Sequence, residues 1–307
     1  MDYALKTFDL SKQYKKKAVV NKVNMNICRG DIYGFVGENG SGKTTIIRLI
    51  TGLISPNGGS FELFGTTNTS PEIYSARKKI GAIVEAPSIY QNMSASDNLR
   101  MQCRLMGINS EEKIISTLKE VGLEAVINDK KHASDFSLGM RQRLGIAMAL
   151  LGDPEFIILD EPMNGLDPAG IVEIRELILK LNGEKNITFL ISSHILTELS
   201  LVATKYGIIS HGQIIREITA AELRAECGRI TDIVAADQEK LMRLLRQSFD
   251  ESRLSYRPEG VRINGDVNLH SILCEIISSG NEILSVKCSE TSIEDYYLSL
   301  LGGAKHD

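Results

Sequence analysis

The chain has 307 residues, 43% of them hydrophobic and 24% charged, with 26 Gly and 7 Pro. That is too apolar for a disordered chain and too poor in Gly and Pro for a fibrous or low-complexity one. The formal charge of −4 sits entirely in the tail: residues 229–307 carry 9 Lys/Arg and 13 Asp/Glu while residues 1–228 hold 26 of each, so the basic excess of a nucleic-acid binder is missing.

The length predicts two domains, each able to bury a core. Cys28, Cys103, Cys227, Cys274 and Cys288 are odd in number and scattered, the pattern of reduced thiols in a cytosolic protein rather than of a disulfide framework or zinc site. The opening MDYALKTFDL lacks the basic start and apolar run of a signal peptide. No stretch approaches the ~18 apolar residues of a bilayer span, so the chain is not expected to cross a membrane by itself.

In chain order, Ala18–Ile27 and Asp31–Val36 read as strands, the second running into a Gly-rich turn and a helix over Thr44–Leu53. Further strands are expected at Ser60–Phe64, Ile80–Val84, Phe156–Leu159, Ile187–Ile191 and Tyr206–Ser210, all rich in β-branched or aromatic residues. Pro168–Leu181 places Ile171, Ile174, Ile178 and Leu181 on one helical face behind an early proline. This alternation predicts an α/β fold with a mainly parallel sheet covered by helices. Between Ser94 and Gly152 the strand signals stop, and Ala95–Met106, Glu111–Val121 and Leu138–Leu151 read as a three-helix insert. The tail, 229–307, follows a β-α-β-β-α-β order, closing with a helix over Ser292–Leu301; that order matches a ferredoxin-like split unit and predicts a small α+β accessory domain.

Three segments carry chemistry. Gly37-Glu38-Asn39-Gly40-Ser41-Gly42-Lys43-Thr44 fits G-x-x-x-x-G-K-[ST] between a strand and a helix, with Thr45 next in line. Its glycines let backbone N–H groups turn around phosphates, Lys43 can reach the β/γ-phosphates, and the Thr44 hydroxyl can hold Mg²⁺. With Gly near 7% of residues, a chance match in a chain of this length is on the order of one in a hundred. Phe156–Leu159 then runs into Asp160-Glu161, two carboxylates at the edge of a sheet where α/β proteins bind ligands. Asp160 is placed to orient Mg²⁺ and Glu161 to act as general base toward water.

The third segment, Phe136-Ser137-Leu138-Gly139-Met140-Arg141-Gln142-Arg143, lies with its serine 23 residues before Asp160. It resembles the L-S-G-G-Q-x-Q-R signature of ABC ATPases, with Ser137, Gly139, Gln142 and Arg143 kept and Leu138 and Met140 departing. Asn164-Gly165-Leu166-Asp167 resembles the D-loop, His194 in Ser192-Ser193-His194 the switch histidine, and Tyr14 the A-loop aromatic that stacks on adenine. Taken alone, His194 reads sooner as a hydrogen-bonded structural residue than as a catalytic one, and Tyr14 as an edge aromatic. Lys12, Lys15, Lys16 and Lys17 read as a solvated turn or as contacts to anionic headgroups.

The resemblance to ABC-transporter nucleotide-binding subunits covers about residues 1–226. It implies an ABC ATPase domain over 1–228, with a helical subdomain over 94–152 and N-terminal antiparallel strands. It implies ATP and Mg²⁺ as cofactors, a head-to-tail homodimer in which Ser137 and Gly139 complete the partner's site, Asp167 as a further nucleotide contact, and separately encoded membrane subunits. The location implied is cytoplasmic, peripheral on the inner face of the cell membrane. At the Q-loop position stands Glu85, not Gln, which is similar to the bacitracin-resistance and lantibiotic-immunity subgroup and implies export; the resemblance makes Glu85 a third metal contact. The competing reading is a soluble ABC ATPase of DNA or ribosome-linked processes, which would need long coiled-coil insertions, a second cassette or a basic excess. This chain has none of these.

Overall fold

The site is built on a six-stranded sheet in the order Gln213–Thr219, Lys205–Ser210, Ile32–Val36, Thr188–Ser193, Phe156–Asp160, Ile80–Ile83 in a computed structural model that describes residues 2–15, 17–257, 259–290, 296–297 and 300. The last five strands run parallel, and Gln213–Thr219 closes one edge as an antiparallel hairpin partner. Phe156–Asp160 and Thr188–Ser193 are buried at every position, as strands covered on both faces must be. The parallel register fixes which residues meet at the carboxyl edge: Val36 lies opposite Ser193, and Asp160 opposite Ser192.

A second, antiparallel sheet is formed by Lys17–Val23, Tyr3–Tyr14, Gly58–Leu63 and Thr66–Thr67, with Asn26–Cys28 pairing on Tyr3–Tyr14. The expected single strand Ala18–Ile27 is therefore two, because its halves pair with different parts of Tyr3–Tyr14. Tyr3–Tyr14 belongs to the N-terminal antiparallel strands that the resemblance implies, but neither it nor Gln213–Thr219 was delimited from the residue pattern. The long strand hides because its register shifts at several points and Asp9 sits at φ 47°, which spoils the alternation of buried and exposed residues.

The helix Lys43–Thr51 lies in the core shared by the two sheets, with Ile46, Ile47, Leu49 and Ile50 fully buried. Each such side chain contributes roughly 1.5–3 kcal/mol relative to exposure, so the mouth of the Gly-rich loop rests on a rigid support. The insert consists of helices Ala95–Met106, Glu111–Glu120 and Leu138–Leu150, each started by a serine (Ser94, Ser110, Ser137) whose Oγ accepts from the backbone N–H three residues on. Helix Leu138–Leu150 is docked closely on the core sheet: a Cβ on Gly81 would lie 2.5 Å from Ala149 O.

Residues 1–220 and 221–307 form separate compact units. The division falls at the start of the short helix Ala220–Glu226 rather than at 228/229. In the second unit a four-stranded antiparallel sheet runs in the order Leu254–Arg257, Gly260–Asn264, Arg229–Ala235, Ile283–Glu290. Helices Gln238–Ser248 and Leu269–Ser278 bury Leu241, Leu245, Ile272 and Ile276 against Ile233, Ala235, Val261 and Ile263. Of the expected helix Ser292–Leu301, only Tyr296, Tyr297 and Leu300 fall among the described residues, and they are helical. No described helix is long and apolar enough to cross a membrane.

Candidate nucleotide site

The loop Gly37–Gly42 leaves the central strand Ile32–Val36 and enters helix Lys43–Thr51. Gly40 and Gly42 take φ 81° and 112°, a region open to glycine at little cost. The strand Lys17–Val23 passes close behind, with Val19 O 2.8 Å from where a Cβ on Gly42 would stand. Ser41 Oγ is buried and has no hydrogen-bond partner among the described residues. An orphaned hydroxyl inside a Gly-rich loop at a helix N-terminus fits an anion such as a phosphate. Glu38, Asn39 and Gly40 are exposed, whereas Thr44 and Thr45 are half-buried on the first helical turn.

Lys43 is 4% exposed. Its Nζ donates to Gly37 O at 2.6 Å and Glu38 O at 3.2 Å and lies 3.4 Å from Glu161 Oε1. These partners compensate the burial of its charge. The other carboxylate oxygen of Glu161, Oε2, is 2.8 Å from His194 Nδ1. An ionised carboxylate only accepts, so Nδ1 carries the proton in this pair. Glu161 itself holds φ 51°, a backbone state that costs a non-glycine residue on the order of 1–3 kcal/mol and is found where structure and site constrain it. Its N–H donates to Ser192 Oγ at 2.9 Å and Ser192 O at 3.2 Å. Asp160, 2% exposed, accepts from Ser192 Oγ through Oδ1 at 2.6 Å.

Other expected site residues lie elsewhere. Tyr14 ends the strand Tyr3–Tyr14 opposite Lys17; the residue is 44% exposed, and Lys12 Nζ lies 5.4 Å from its ring centroid. Ser137 caps helix Leu138–Leu150, accepting from Met140 N at 3.2 Å, and Gly139 lies in that helix's first turn. Asp167 caps helix Pro168–Lys185, its Oδ1 accepting from Gly170 N at 3.2 Å. Among the described residues no hydrogen bond or ion pair joins Ser137, Gly139 or Asp167 to Lys43, Glu161 or His194. Glu85, at φ 64°, is paired with Arg48 of the helix behind the Gly-rich loop rather than with Asp160 or Thr44.

Residues 20–164 match the ABC transporter family model. The bacitracin transport ATP-binding protein BcrA of Bacillus licheniformis is 41% identical over 307 residues, 99% of either chain. The chain belongs to the ABC transporter family, as an ATP-binding subunit. Another member, the lantibiotic transport ATP-binding protein SrtF of Streptococcus pyogenes, is 45% identical over 213 residues, covering 69% of this chain and 90% of its own. Among solved structures, cbiO1 of Clostridium perfringens, part of the ABC transporter complex cbiONQ, superposes with a TM-score of 0.66 at 28% identity over 74% of this chain and 92% of that one. An ABC-transporter cassette in its ADP conformation gives 0.65 at 26% identity over 72% and 92%. This ABC subunit is an ATPase of the P-loop α/β fold, and transport is favoured over DNA- or ribosome-linked work.

Three contacts of the ATPase escaped the sequence reading. Ser192 bridges Asp160 and Glu161, Arg48 holds Glu85, and Glu198 stands near His194 and Glu161, where burial pushes its carboxyl above the usual range and the Glu161 charge adds to the shift while His194 opposes it. None of the three had a signal in the sequence: Glu198 lies on the short helix Leu196–Ser200, which begins after His194.

Proposed function

We propose that this ATPase binds Mg²⁺-ATP through Lys43, Thr44 and Asp160, closes head to tail on a second copy of itself, and drives export of an antimicrobial peptide or similar amphipathic compound through separately encoded membrane chains. The observation that carries the reading is the row Lys43–Glu161–His194 at the carboxyl edge of the parallel sheet, beside a buried Ser41 hydroxyl that has no partner among the described residues. Gly37, Glu38, Asn39, Gly40, Ser41, Gly42 and Thr45 surround the phosphates, and Tyr14 offers an exposed ring for the adenine. Glu161 takes the proton of the attacking water, and His194 fixes its carboxylate from the far side.

Mg²⁺ suits the donor set of a Thr44 hydroxyl and an Asp160 carboxylate, both oxygen ligands; when bound it neutralises charge on the β- and γ-phosphates. Glu85 joins that set only if its pair with Arg48 opens. Ser137, Gly139 and Asp167, presented on two helix N-termini away from Lys43, are supplied to the partner's nucleotide. Loss of the γ-phosphate then removes the link between the two copies, and the opening is passed to the membrane chains on the inner face of the membrane.

The substrate class is supported by relatives named for bacitracin and lantibiotic transport and by Glu85. Expression of the chain with its co-purifying membrane protein in a sensitive host should raise the concentration of bacitracin or a lantibiotic that stops growth, and Glu161→Gln should abolish the gain. Equal sensitivity with and without the pair, at matched expression, would remove the export reading.

A further inference from the structure

We propose that Ser192 is a positioning residue for the hydrolytic pair, one buried hydroxyl setting the Asp160 carboxylate and the Glu161 main chain at the same time. The inference rests on the Mg²⁺-ATP reading of the site. Its origin is the sheet register. Asp160 and Ser192 are direct neighbours on adjacent parallel strands, so their side chains leave the same face side by side. Ser192 is fully buried. Its Oγ–H donates to Asp160 Oδ1 at 2.6 Å, and the same oxygen accepts from Glu161 N at 2.9 Å.

Each half of this bridge has a consequence. With Oδ1 bonded to Ser192, the rotation of the Asp160 carboxylate is restrained and Oδ2 is the oxygen that would be left for a metal or metal-bound water. The second bond, shared with Ser192 O at 3.2 Å, holds Glu161 at φ 51°. From there its carboxylate spans Lys43 and His194. Without the hydroxyl, Asp160 Oδ1 loses its donor in a place shielded from water, and Glu161 N keeps only the longer bond. A hydrogen bond to a charged, buried group is among the strong ones. Ser and Ala differ little in volume, so packing suffers far less than carboxylate orientation.

The test uses the full chain with Ser192→Ala and Ser192→Thr, a fluorescent ATP analogue titrated in EDTA and in Mg²⁺, and a Mg²⁺ titration of hydrolysis. Ser192→Ala should bind within twofold of the parent in EDTA and need about tenfold more Mg²⁺ for half-maximal hydrolysis, a shift of about 1.4 kcal/mol. Ser192→Thr, which keeps a hydroxyl and suits a strand, should come back to within about threefold of the parent. The proposal is overturned if Ser192→Ala has the parent's Mg²⁺ requirement within twofold, if its affinity falls equally in EDTA and Mg²⁺, or if Ser192→Thr melts like the parent yet behaves like Ser192→Ala. A parent chain that neither binds the analogue more tightly with Mg²⁺ nor hydrolyses ATP overturns the Mg²⁺-ATP reading itself, which the variants do not touch.

Discussion

His194 Nδ1 stands 2.8 Å from Glu161 Oε2, while Glu161 Oε1 faces Lys43 Nζ at 3.4 Å. The carboxylate is thus held from two sides before any proton moves. Glu161→Gln keeps the shape and loses the basic oxygen pair, and loss of a general base costs ~10²–10⁴-fold in rate. Hydrolysis should fall into that range while ATP binding survives on Asp160 and Thr44. A steady-state phosphate-release assay checks the first point and equilibrium binding the second; a rate within twofold of the parent would take Glu161 out of the base role.

Lys43→Ala should abolish ATP-dependent dimerisation. The amine is the cation nearest the loop interior, bonded to Gly37 O and Glu38 O, and nothing else buried there carries positive charge among the described residues. Sedimentation with ATP, in the Glu161→Gln background to prevent turnover, should give a monomer. A normal dimer would defeat the sandwich arrangement.

Gly145→Ala should destabilise the helical insert even though alanine is the better helix former by about 1 kcal/mol. A Cβ there would stand 2.6 Å from Pro87 Cβ and 2.9 Å from Pro87 Cγ, on the loop that carries Glu85. Proline is rigid, so the helix or the loop must shift, and overpacking of this kind costs about 1–3 kcal/mol. Chemical denaturation should show a lower midpoint at an unchanged slope. A stabilised variant would mean that the loop gives way freely.

Glu198 predicts a pH effect with a definite sign. Burial raises its folded-state carboxyl, so the native chain binds its proton more readily than the unfolded one. Its contribution to stability therefore falls as pH rises from the unfolded value through the raised folded one, and the penalty is fully present above that window. Glu198→Gln should raise the melting temperature near neutrality, and the gain should shrink toward nothing below pH 4. Melting curves of both chains across that span decide it; a gain that grows on acidification would reverse the argument.

Deletion of residues 229–307 should leave Mg²⁺-ATP binding by the remaining chain nearly intact. Every phosphate, metal and adenine contact proposed here precedes residue 200, and the core of Leu241, Leu245, Ile272 and Ile276 is closed within the second unit. Titration of a fluorescent ATP analogue into the folded truncated chain tests the division. A loss beyond about tenfold, or ~1.4 kcal/mol, would place part of the nucleotide pocket in the tail.

By itself the sequence determined whatever is local. The spacing Gly37–Thr44 specifies a strand, a tight loop and a helix mouth, and Phe156–Glu161 specifies a buried strand with carboxylates at its end, because backbone preference and hydrophobic burial act over a few residues. The family was legible through the order and spacing of segments that resemble its signature, D-loop and switch histidine. Only the tertiary structure decided which neighbours these residues meet. Ser192 reaches Asp160 because two strands separated by a long helical connection pair in one register. Arg48 takes Glu85, and Gly145 admits Pro87, because a helix and a loop far apart in the chain are packed together. The bounds of Tyr3–Tyr14, among the N-terminal antiparallel strands that the resemblance implied, were likewise not legible, since a strand interrupted by shifts in register has no period of its own and is held by its partners. Such contacts depend on strand order and packing, which no short window of residues encodes.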